Sequence, residues 1–126
     1  MIHILWESEY LIVYEHTHAL ATIESILKAN IPRAYGVNDD RVFWLMTLYV
    51  PSDMRHRGVG RNLMLHIATE CISTGCRRIN LDDMSDRYNQ DDNIYVNMGF
   101  TYRPCYTPEM YCSPHTVLNC SKKVRR

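Results

Sequence analysis

Residues 50–61, V-P-S-D-M-R-H-R-G-V-G-R, concentrate the residue types that hold a bulky anion. Gly58 and Gly60 let backbone come close to a ligand, and Arg55, Arg57 and Arg61 offer charge-assisted hydrogen bonds to phosphate. An apolar run ends just before this stretch, and an amphipathic pattern begins just after it. A helix starting there presents unpaired backbone N–H groups and the positive end of its dipole, both of which favour negative charge. The chemistry is that of a diphosphate-binding loop. It is not G-x-x-x-x-G-K-[ST], since no Lys follows Gly60, and it is not G-x-G-x-x-G, so triphosphate hydrolysis is not indicated.

Two elements must position this loop. Upstream, V-F-W-L-M-T-L-Y-V at 42–50 is apolar at nearly every residue, which predicts a strand buried on both faces in the middle of a sheet. Downstream, Met64, Ile67, Ala68, Cys71 and Ile72 recur at helical spacing, and Gly75 closes the helix as a C′ glycine. Arg78-Ile79-Asn80-Leu81 reads as the next strand, completing a right-handed strand–helix–strand unit with parallel strands. Earlier in the chain, 2–6 and 9–15 read as a hairpin. Thr17 is placed to cap a helix in which Leu20, Ile23 and Leu27 share a face and Glu24 pairs with Lys28, although the same stretch also alternates as a strand would. Asn38-Asp39-Asp40 reads as a turn. Asn89 or Asp91 caps a second helix ended by Gly99, and 100–102 and 110–112 form closing strands around a turn at Thr107-Pro108.

The chain has 126 residues, room for one domain with one core: 1–120, with a basic, unstructured tail at 121–126. Net charge is zero, so a phosphate site must be local, which suits a small ligand better than a nucleic-acid groove. No signal peptide and no membrane span are read, and the expected location is cytoplasmic, with the basic end leaving a nuclear one open. Five cysteines, an odd number, argue for free thiols in a reducing compartment. Cys105, Cys112, His115 and Cys120 lack the paired C-x-x-C spacing of a zinc knuckle, so no metal is expected. A homodimer is left open.

Taken together, Arg55-His56-Arg57-Gly58-Val59-Gly60 matches [RQ]-x-x-G-x-[GA] between an apolar strand and an amphipathic helix. In this the chain resembles the GNAT superfamily of acetyl-CoA-dependent N-acetyltransferases. Asn93-Ile94-Tyr95-Val96-Asn97-Met98-Gly99-Phe100 is similar to that family's F-Y-x-x-x-G-F segment, and the resemblance spans about 42–102. It implies an α/β fold with a mixed sheet, a splayed central pair of parallel strands and flanking helices. It implies coenzyme A held by Leu48, Tyr49 and Val50 along the splayed strand and by Arg55, His56, Arg57, Gly58, Val59, Gly60 and Arg61 at its diphosphate, with Asn89 nearby. A backbone N–H near Tyr49 would meet the oxyanion, and Tyr95 would protonate the departing thiolate. The implied partners are acetyl-CoA and a primary amine.

Three departures from the family pattern bear on function. The strand at 42–50 carries no acid, where family members often place a Glu or Asp to deprotonate the amine. Candidates elsewhere are Glu15, His16, His18, Asp82 and Asp83. Tyr88 and Asp91 stand where the family often has Asn and Ala. Only about 41 residues precede the central strand, a short allowance for the region that builds the acceptor pocket. Asp82, Asp83, Asp86, Asp91 and Asp92 would suit a cationic acceptor if they lined its mouth, or would simply form a solvated loop. The alternative functions are a non-catalytic acyl-CoA-binding or interaction domain, and an RNA-binding module that zero net charge argues against.

Overall fold

The computed structural model describes residues 1–84, 93–103 and 108–124. Asn89, Tyr88, Asp86, Asp91, Asp92, Cys105 and Thr107 lie outside the described residues. The elements run β1 (Ile2–Glu7), β2 (Tyr10–Glu15), α1 (Ile23–Lys28), β3 (Arg33–Asp39), β4 (Val42–Tyr49), a 3-10 turn (Ser52–Met54), α2 (Val59–Thr74), β5 (Arg78–Asp82), α3 (Ile94–Asn97), β6 (Thr101–Tyr102), β7 (Glu109–Cys112) and α4 (Pro114–Val124). The strands form one mixed sheet in the order β1-β2-β3-β4-β5-β7-β6. Among the described strands only β4 and β5 pair in parallel; the remaining neighbours are antiparallel.

Alternation along each strand sorts side chains onto two faces. Leu11, Val13, Ala34, Phe43, Leu45, Ile79, Leu81 and Met110 face α2 and α4, where Leu63, Met64, Ile67, Ala68 and Val117 close the main core. Gly75 ends α2 in the left-handed conformation expected of it (φ 81°), and Cys71 is a core residue. On the other face a smaller cluster joins Ile12 and Tyr14 to Ile23 and Ile26 of α1.

That second face corrects two expectations. Helix α1 is capped by Thr22, not Thr17: the Thr22 hydroxyl accepts from Ser25 N–H (3.0 Å) and the Ser25 hydroxyl accepts from Thr22 N–H (3.2 Å), a reciprocal capping box. The helix is therefore only six residues long, with the expected Glu24–Lys28 pair on its outside. Because α1 covers only the β1–β3 part of its face, β4 is not buried on both sides. Trp44 stands 39% and Met46 60% exposed. Helix α4 begins on Ser113, whose hydroxyl accepts from Thr116 N–H, with Pro114 at the first helical position. It runs through Val124, so 121–124 are helical rather than tail.

One irregularity shapes the sheet. Tyr35 pairs with Thr47 and Gly36 with Leu45, leaving Met46 as an extra residue in β4. Gly36 permits this because a Cβ there would lie 2.2 Å from the Trp44 carbonyl oxygen and 2.5 Å from the Phe43 ring. A bulge of this kind bends its strand.

Candidate active site

The bend coincides with the parting of β4 from β5. Their parallel register runs from Val42↔Arg78 to Leu45↔Leu81 and stops. β4 continues to Tyr49 beside β3, whereas β5 continues beside β7 at Asp82↔Glu109. The edge of residues 46–49 that faces β5 has no strand next to it among the described residues. Such an edge offers N–H and C=O groups to an extended ligand as an added strand would. Tyr49 fixes the end of β4: its hydroxyl donates to Asn30 Oδ1 (2.5 Å), and the Arg33 guanidinium lies 4.7 Å from its ring centroid.

The loop then turns into α2. Arg55 Nε donates to the Val50 carbonyl (2.9 Å), so part of this guanidinium braces the loop itself. His56 (φ 64°) and Gly58 (φ 77°) both adopt left-handed backbone. Gly58 is the N-cap and supplies no side-chain acceptor, so the first turn of α2 keeps its N–H donors uncapped. His56 and Arg57 are exposed beside it. Arg61 Nη1 is buried with no hydrogen-bond partner among the described residues. A buried guanidinium donor in that condition is costly unless an anion comes to it. The donor set thus fits a phosphate ligand.

Gly60 joins the loop to the rest of the site. A Cβ on it would meet Ile94 Cδ1 at 3.4 Å, Val50 Cγ2 at 3.6 Å and Leu48 Cδ2 at 4.0 Å. The end of β4, the start of α2 and the start of α3 therefore converge on one small residue, and Tyr95 follows Ile94. Asn93 caps α3 through Oδ1, which accepts from Tyr95 N–H (2.7 Å) and Val96 N–H (3.2 Å). Its Nδ2 donates to Asp83 Oδ2 (2.6 Å), which also accepts from the Tyr102 hydroxyl (3.0 Å). Burial, with the Asp83 carboxylate as a second cause, pushes the Tyr95 phenol up to about 12. Its ring meets Phe100 edge-on at 6.0 Å, and its hydroxyl makes no hydrogen bond among the described residues.

The structure thus brings Leu48, Val50, Gly58, Val59, Gly60, Arg61 and Tyr95 into one region. It separates the candidate bases. Glu15 lies on β2 near the N-terminal amine, and His16 bonds to the His18 carbonyl (2.9 Å) in the segment after it, two strands from β4. Asp83 is 2% exposed on the α2 face. Asp82 is exposed on the opposite face, one residue beyond the last β4–β5 pair. Sequence reasoning missed Asn93 as the cap, although Asn immediately before the apolar I-Y-V is a capping signal. It also missed Asn80, fully buried, with neither amide atom hydrogen-bonded among the described residues, and in register with Trp44 and Tyr111. No group of three metal-binding side chains lies together among the described residues, and no helix there is long and apolar enough to cross a membrane.

Residues 2–100 match the family model described as Acetyltransferase (GNAT) family. No curated protein matches the chain. Among solved structures it is similar to a protein assigned to GNAT acetyltransferases from Desulfovibrio desulfuricans, with TM-score 0.62 and 16% identity over 84% of this chain and 69% of that one. A protein assigned as an acetyltransferase from Exiguobacterium sp. 255-15 is similar at TM-score 0.57 and 18% identity, covering 95% of this chain and 70% of the other. Tetrahymena GCN5 is similar at TM-score 0.56 and 10% identity, covering 87% and 71% respectively. At these identities the likeness is one of fold.

Proposed function

The chain belongs to the acetyltransferase (GNAT) family, and on that premise we propose that it transfers an acetyl group from acetyl-CoA to a primary amine. The observation that carries this reading is the convergence at Gly60, where the open edge of β4, the uncapped start of α2 and the helix of Tyr95 meet. In it, the pantetheine arm lies along Leu48, Tyr49 and Val50. The diphosphate takes the N–H groups of Gly58, Val59 and Gly60, the guanidinium groups of Arg57 and Arg61, and the free end of Arg55.

The amine nitrogen attacks the thioester carbonyl, the C–S bond breaks, and the amine loses a proton as the thiolate gains one. A backbone N–H near Tyr49 stabilises the oxyanion. A phenol held near 12 stays protonated but gives up its proton reluctantly to a thiolate of pKa about 8.5. Tyr95 therefore serves first as a hydrogen-bond donor to the charge developing on sulfur, with proton transfer completing late. Asp82 is the carboxylate best placed to take the amine proton, since it faces the uncovered side of the sheet at the parting of the strands. The lack of an acid on β4 favours one competing reading, a domain that binds acyl-CoA without turnover. Thiol release from acetyl-CoA across a panel of primary amines tests the proposal: amine-dependent release supports transfer, and coenzyme A binding with no release from any amine supports the competitor.

A further inference from the structure

The sheet face that α1 partly covers holds a second feature. Between α1 and the strands β1–β3 lies an open cavity of about 530 Å³. Tyr10 and Tyr35 form one wall, their rings stacked with centroids 5.8 Å apart and planes within 6°. Ile23 and Leu27 give it an apolar side. Glu24 at its rim is already paired with Lys28 at 2.8 Å. Glu7 also lines the cavity, and its carboxylate has no ion pair or side-chain hydrogen bond among the described residues.

These are the groups an ammonium takes. Tyrosine faces attract a cation through their quadrupoles, an unpaired carboxylate adds charge, and an apolar side suits a methylene chain. An anion would meet Glu7 instead. A tyrosine ring is neutral near pH 7 in any case; burial first, then the neighbouring Tyr10 and Glu7, raises the Tyr35 phenol further.

The sheet register connects this cavity to the transfer site. Glu7 pairs with Tyr10, Tyr10 with Val37, and Val37 with Trp44, so these residues form a row across the uncovered face. Tyr35 pairs with Thr47, just beyond the point where β4 leaves β5. From Tyr10 to β4 is two strand spacings, roughly 10 Å.

We propose that the cavity lined by Glu7, Tyr10 and Tyr35 is a second-cation subsite, and that the acceptor is a linear aliphatic polyamine. One ammonium rests on the tyrosines and Glu7, while an end amine reaches past Thr47 to the parting of β4 and β5. The extended chain between the end nitrogens of spermidine reaches roughly 11 Å, which spans this distance, whereas putrescine at roughly 6 Å does not. The acceptor role rests on the acetyl-transfer reading; the binding of a polyamine does not.

The test is calorimetric titration of spermidine into the full chain, for wild type, Glu7→Gln and Tyr10→Leu. Both positions are exposed, and melting curves check that each variant folds. The expected result is saturable spermidine binding weakened at least about tenfold in each variant, with kcat/KM for spermidine falling alike and that for n-butylamine unchanged. No spermidine binding by wild type at roughly 10 mM, or binding that neither variant weakens, overturns the subsite. Coenzyme A titrated into the same samples separates the two ideas: lost coenzyme A binding counts against the transferase reading and leaves the spermidine result standing on its own.

Discussion

Leu45 of β4 and Leu81 of β5 are the last residues at which the two parallel strands share a register. The next residue of β4, Met46, is the bulge, and the next residue of β5, Asp82, faces the uncovered side of the sheet. The bulge in β4 thus coincides with the parting of the strands, and a carboxylate stands one residue past their last pair.

The opening depends on Gly36. A methyl group there would sit 2.2 Å from the Trp44 carbonyl oxygen, a backbone atom that cannot swing aside. Gly36→Ala should lower stability by about 2–3 kcal/mol in urea unfolding. It should also weaken coenzyme A binding in the folded fraction, because β4 must shift. Unchanged stability would show that the strands approach less closely than described.

Tyr95→Phe should reduce kcat by about 10–100-fold while leaving coenzyme A affinity within about threefold, because the ring keeps its packing against Phe100. Alkaline unfolding offers an independent readout. A phenol raised from 10 to about 12 binds its proton more tightly in the folded state. Its contribution to stability is therefore complete below pH 10 and lost as pH rises toward 12. Between those values Tyr95→Phe should lose less stability than wild type; identical slopes would count against the raised value.

Asn93→Ala removes the cap of α3 and one donor to the buried Asp83 carboxylate. The expected cost is about 2–3 kcal/mol, with kcat falling as Tyr95 loses its placement. Asn93→Ser keeps a capping oxygen but not the amide donor, and should fall between. If Asn93→Ser matches wild type, the Asp83 contact adds nothing; if it matches Asn93→Ala, the cap adds nothing.

Asp82→Asn should lower kcat/KM at pH 7 by at least about tenfold and have little effect near pH 10, where more of the amine arrives neutral. An equal loss at both pH values would mean that Asp82 acts by position or charge rather than as the proton acceptor.

The parts of this fold legible in the sequence are those whose side chains repeat with a clear period. The β1–β2 hairpin, the apolar stripe of α2 and its Gly75 end stand as read, and the loop at 50–61 declares itself through residue type. β3 is not legible, because R-A-Y-G-V-N-D carries a glycine and ends in N-D, and its core-facing positions, Ala34 and Gly36, are too small to mark an apolar face. The apolar run of β4 suggested cover on both faces; Trp44 and Met46 are exposed because the six-residue α1 does not reach them. Thr17 precedes the pattern of Leu20, Ile23 and Leu27, but Thr22, inside it, has Ser25 three residues on to complete a box, and the helix starts there. The tyrosine stack and the Asn80–Trp44 register join strands far apart in sequence, which no local pattern records.

The central claim is that a diphosphate sits on the uncapped first turn of α2. Titration of coenzyme A into the folded chain, beside Gly58→Ala and Gly58→Glu, tests it most directly. Gly58 lies at φ 77° with open space around it, so Ala introduces backbone strain of roughly 1 kcal/mol, while Glu adds a negative charge at the same strain. The account predicts saturable one-to-one binding by wild type, a modest loss with Ala, and a further loss of at least about tenfold with Glu. Absence of coenzyme A uptake by wild type at roughly millimolar ligand, or equal affinity in Ala and Glu variants, would contradict it.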